Sequence, residues 1–156
     1  MGTRGRLGGV SQLVRRFLKP ALAALLCVSS MSLMGDTAPF TLTPERLVAS
    51  IAIPAEVMAA AWPVLEVDVT ELSNPGMVPI GVAVSMVSGD RKIPMGNFAF
   101  FPSDNKGNFM IDSRSAFAQV GRSGTAHLVF ELEKLRPSAA WQPLRVTIAP
   151  PRWRAQ

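Results

Sequence analysis

The chain has 156 residues, with 16 Lys and Arg against 11 Asp and Glu, and its net charge of +5 is unevenly placed. Arg4, Arg6, Arg15, Arg16 and Lys19 fall in the first 35 residues, which hold no acid, so residues 36–156 are electroneutral. That distribution speaks against a nucleic-acid partner, which needs Lys and Arg across a folded surface to neutralise phosphates. A hydrophobic content of 48% with only 17% charged residues excludes a disordered chain.

Residues 1–19 are polar and basic, and residues 20–34, PALAALLCVSSMSLM, carry no charge. Fifteen residues are short for a bilayer span, which takes roughly 20. A basic segment before a short apolar run is the arrangement of a secretory signal. Arg15, Arg16, Phe17, Leu18 and Lys19 resemble the twin-arginine export motif, without its usual spacer between the arginine pair and Phe-Leu-Lys. Residues 1–35 are therefore predicted to be an export signal, by the twin-arginine or the general route, giving a periplasmic or secreted protein. An uncleaved segment anchoring the chain to the membrane is the alternative. Cleavage after Gly35 puts Leu33 at minus three, and cleavage after Ala38 puts Asp36 there; both sites are imperfect. Cys27, the single cysteine, follows Leu26 rather than a small residue, so it reads as part of the apolar run and not as a lipid attachment point.

Beyond the signal, residues 36–44 read as a linker. Leu47 to Ile53 reads as a strand ended by Pro54, and Glu56 to Trp62 as one short helix stopped by Pro63. Leu65, Val67 and Val69 alternate with Glu66, Asp68 and Thr70, a strand with one wet face. Ser73-Asn74-Pro75-Gly76 is a turn, with Gly76 expected to take positive φ. Further strands are predicted at Ile80 to Val87, Phe98 to Phe101, Phe109 to Ile111, Ala126 to Glu133 and Leu144 to Ile148. Asp104 to Asn108 is expected to be a hairpin loop joining Phe98–Phe101 to the strand of Phe109 and Ile111, with Gly107 left-handed. The fold class is thus all-β: a small antiparallel β-sandwich of about seven strands with one short helix, over residues 45–149. Residues 150–156 read as a short frayed tail.

No catalytic constellation stands out. His127, the single histidine, reads as a residue on the wetter face of a strand, and no Gly-x-Ser-x-Gly turn accompanies it. Glu66 and Asp68 share a strand face about 7 Å apart, a spacing that a calcium ion or a cationic partner could use, or simply a solvated face. Trp62, Trp141 and Trp153 could supply a sugar-stacking platform or pack beneath turns. Met58, Met77, Met86, Met95 and Met110 are soft ligands in principle, but they are dispersed along the chain and read as core filling. The candidate binding surface is accordingly Glu66, Asp68, His127 and Trp141, with no cofactor expected.

Ile93 to Asp112, IPMGNFAFFPSDNKGNFMID, resembles part of the β-domain that follows the copper domain in some bacterial tyrosinases and polyphenol oxidases. The residues that carry the likeness are Gly96, Asn97, Phe98, Phe100 and Phe101, then Phe109 and Ile111, and it would extend over roughly residues 47–149. Type-3 copper catalysis uses six histidines and this chain has one, so the resemblance implies only the accessory sandwich. In that family this domain packs over the copper site or helps an enzyme partner mature. The expectation is a non-catalytic exported accessory or interaction domain for a protein partner in the same compartment. An exported sugar- or metal-binding module is the alternative.

Overall fold

Alternation of Val and Leu with acids makes residues 63–73 the longest strand, and the rest of one sheet is assembled on its two edges. The computed structural model describes residues 32–34, 38–59, 63–121 and 124–155. The predicted signal residues Arg15 to Lys19, Cys27 and Trp62 lie outside them. In chain order the elements are β1 Ser32–Met34, β2 Phe40–Leu42, β3 Val48–Ala52, α1 Ala55–Ala59, β4 Pro63–Ser73, β5 Ile80–Ser88, β6 Arg91–Ala99, β7 Asn108–Asp112, α2 Arg114–Val120, β8 His127–Lys134, β9 Arg145–Ile148 and β10 Arg152–Ala155.

The architecture is an all-β sandwich of two antiparallel sheets with two short helices. One sheet has the order β3-β8-β5-β6. In the other, β4 pairs with β7 on one edge; on its opposite edge it meets β10 through Pro63–Glu66 and β9 through Val69–Ser73, with a bulge between Val69 and Glu71. β1 and β2 lie outside β10 and β9 respectively. Between the sheets, Leu65 and Val67 meet Val82, Val84 and Phe130 in a single buried cluster. Every buried hydrophobic residue among the described ones lies between Leu42 and Trp153.

Six of the seven predicted strand regions are present, the seventh, Phe98 to Phe101, coincides with β6 only at Phe98 and Ala99, and ten strands occur among the described residues. The three unforeseen ones are three- and four-residue strands, too short for periodicity to register. Residues 36–44, read as a linker, contain β2, whose Leu42 is fully buried. Residues 150–156, read as a frayed tail, contain β10, whose Trp153 is 3% exposed and meets Phe117 edge-on at 5.6 Å. β1 falls inside the predicted signal. The helix α2 was also missed; Ser-Ala-Phe-Ala-Gln offers only two buried residues, Ala116 and Phe117, to mark a face.

Two further expectations are corrected. Residues 104–108 do not form a hairpin loop, because β7 pairs with β4 while β6 pairs with β5, so the segment crosses from one sheet to the other. Local turn composition could not show this, since the partner of Phe109 is Val67, far away in sequence. Positive φ occurs at Met77, Gly89, Gly121 and Gly124 among the described residues, and neither Gly76 nor Gly107 takes it. Gly76 is required for a different reason: a Cβ there would stand 2.8 Å from Gln142, so the turn presses against the β8–β9 loop.

Candidate functional site

Apart from Glu66 and Asp68, which share one face, the residues singled out from the sequence do not meet. His127 begins β8, opposite Ala52 and Val87, and is exposed at the end of the sandwich that carries both helices. Glu66 and Asp68 lie on the outer face of the other sheet. Trp141 lies in the β8–β9 loop at the opposite end from His127, half-buried, with Lys134 Nζ 5.4 Å from its ring centroid. Lys134 is fixed there by donating to the carbonyls of Pro137 and Ala139.

The Glu66 face is occupied by the protein's own cations. Pairing sets Arg152 opposite Glu66 and Arg154 opposite Val64, so both arginines share a face with the carboxylate. Arg154 Nε donates to Glu66 Oε2 at 2.6 Å, Asn108 Nδ2 donates to Oε1 at 2.7 Å, and Arg152 stands 3.4 Å from Oε1 and 3.9 Å from Asp68. The Asn108 hydrogen bond chiefly, together with the two guanidinium groups, lowers the Glu66 pKa against the opposing effect of burial. These contacts use both carboxylate oxygens, so the face is a staple between β10, β4 and β7. Lys106, in the loop between β6 and β7, donates to the Thr70 carbonyl. Among the described residues no group of three or more His, Cys, Asp and Glu side chains converges as a metal site.

The tryptophans and methionines are equally dispersed. Trp153 is in the core, and Lys134 caps one face of Trp141, so these two do not form a shared stacking surface. Met58 and Met86 are buried as core filling requires, whereas Met77 and Met110 are exposed.

Sequence reasoning missed the most unusual surface, the loops at the end carrying Trp141. Phe98 to Phe101, aromatic on both faces, reads from the sequence as a strand lying centrally or under a loop. Instead Phe98 and Phe100 turn inward against Phe109, and Phe101 is 93% exposed. Met77 and Leu135, each 51% exposed, lie on the adjoining loops. Hydrogen bonds hold these loops together. The buried Asn74 side chain accepts from Val78 N–H and donates to the carbonyls of Val78 and Ser103. Phe100 N–H donates to Ile80 O, and Leu135 N–H to Pro79 O. The available signal was Phe101-Pro102-Ser103-Asp104, an aromatic residue placed where a strand gives way to a turn. Beside this end a cleft of about 430 Å³ opens between Pro44, Pro75 and Pro143, with Glu71 and Arg145 4.0 Å apart on its wall.

No transmembrane-length apolar helix occurs among the described residues. Compared with known proteins, the chain matches no family model and no curated protein.

Proposed function

We propose that this chain is an exported, non-catalytic accessory domain, periplasmic or secreted, that binds another protein of the same compartment through its Met77–Phe101–Leu135 end. The observation that carries this reading is Phe101. An almost fully exposed aromatic ring costs solvation free energy, and a burial worth roughly 1.5–3 kcal/mol becomes available when a partner covers it. Asp104, Lys106 and Arg136 border the apolar residues in sequence, with both signs of charge. An apolar centre with a mixed polar rim is the anatomy of a protein–protein contact. The hydrogen-bonded loops are ordered before binding, which reduces the entropic cost of association.

The resemblance to the tyrosinase β-domain supports the same reading and suggests a class of partner, an exported copper enzyme. The experiment is affinity capture from the exported fraction of the producing cells with the full chain as bait and Phe101→Asp as control. A stoichiometric protein lost with Phe101→Asp is the expected result. A partner retained equally by both baits would remove the Phe101 end from the proposal.

A further inference from the structure

β1 and β10 meet across a boundary that the sequence draws independently. β1 pairs with the outer edge of β10, Ser32 opposite Arg154, Leu33 opposite Trp153 and Met34 opposite Arg152. β1 lies within the predicted export signal, and both candidate cleavage positions, after Gly35 and after Ala38, fall between β1 and β2. We propose that removal of the signal opens the edge of β10 as a strand-acceptor slot, which an extended segment of a different protein then fills by adding a strand. This inference rests on the reading of residues 1–35 as a cleaved signal.

The slot is built to persist after β1 leaves. Trp153 anchors β10 in the core, and Arg152 and Arg154 are tied to Glu66 on β4. The uncovered edge is therefore a fixed row of backbone donors and acceptors, the template that strand addition uses. The register states the chemistry of the occupant. It is an extended segment with an apolar residue opposite Trp153 and uncharged or acidic residues opposite Arg152 and Arg154, as Ser32, Leu33 and Met34 illustrate. A second copy fits poorly. Antiparallel self-pairing centred on Trp153 would set Arg152 of each copy opposite Arg154 of the other, and directly opposed like charges are destabilising.

The test uses the chain beginning at Asp36, which retains every buried hydrophobic residue described, and a synthetic peptide of residues 29–37 as the probe. Backbone amide exchange of residues 152–155 is followed with and without peptide. The expected result is protection on adding peptide, with about tenfold weaker binding for the peptide carrying Leu33→Pro, because proline removes a donor and resists the ladder. Ser32→Lys in the peptide, which opposes Arg154, should also weaken binding. A folded chain whose residues 152–155 are indifferent to the peptide overturns the slot. Should the shortened chain fail to fold, the full chain carrying Leu33→Pro is titrated instead; uptake supports the slot and indifference overturns it. Intact mass of the exported protein is read separately. Loss of residues 1–35 or 1–38 supports opening by processing, and a retained Met1 overturns that step whatever the peptide does.

Discussion

Arg154 reaches back 88 residues to place its Nε 2.6 Å from Glu66 Oε2. The carboxylate is 7% exposed while the guanidinium is 48% exposed, so the pair sits at the margin between interior and solvent. Charge pairing there is worth less than in a dry core, but an unpaired carboxylate there would cost more than on an open surface. Arg154→Ala should lower the stability of the fold by about 1 kcal/mol, measured by urea unfolding. Asn108→Ala should have a similar effect because the same carboxylate loses its other donor.

Acid should weaken the fold with a defined sign. Glu66 titrates below its ordinary 4.5, chiefly through Asn108, and hydrogen bonds from Arg114 hold Asp112 down to about 2. In both cases the unfolded chain binds protons more readily than the folded one. Their stabilisation is complete above pH 4.5 and is lost as pH falls through the folded values. Thermal unfolding between pH 6 and pH 2.5 should show Tm falling from about pH 4.5 downward. The fall should be smaller in Glu66→Gln, which removes one of the two titrating groups.

Trp153→Ala should cost about 3–5 kcal/mol, the range for emptying a buried indole site. Deleting residues 150–156 should do at least as much damage, whereas loss of a frayed tail would leave Tm unchanged. Scanning calorimetry of the two variants separates these outcomes.

Asn74→Ala leaves the Val78 N–H and the carbonyls of Val78 and Ser103 without their side-chain partner. It should cost about 1–3 kcal/mol, measured by denaturant unfolding. Its amide exchange should quicken in residues 74–79 and 100–105 before it does in β5 or β8.

Phe101→Asp should change stability by no more than about 0.5 kcal/mol, since the ring makes little buried contact. Equal unfolding midpoints for the variant and the parent chain would check this.

The strands were legible wherever Val, Ile or Leu alternated with polar residues over five positions or more, as in β4, β5 and β8. β2 and β10 were not, because each offers a single fully inward residue, Leu42 or Trp153, and owes its strand conformation to a partner already in place. The pairing of β7 was equally hidden, since alternation reports which face is buried and not which edge is joined. For the candidate surface, the sequence placed Glu66 and Asp68 together on a wet face. It could not show the arginines covering them, which come from a segment with no periodic signal. Phe101 was misread for a related reason: three phenylalanines in four positions look uniformly buried until the chain turns at Pro102.

The Glu66 staple also imposes an order of events during synthesis. Arg154 follows Glu66 by 88 residues, so until it is made the carboxylate lacks this partner and the inner edge of β10 does not yet exist. The first half of β4 has only β7 beside it until then. Closure of this sheet is therefore a late, long-range step, of the kind that slows folding. A nascent chain halted before residue 152 would carry an acid without its arginine partners, an open sheet edge and no Trp153. Its exposed edge would be open to pairing with other chains, which the completed β10 prevents on that side of β4.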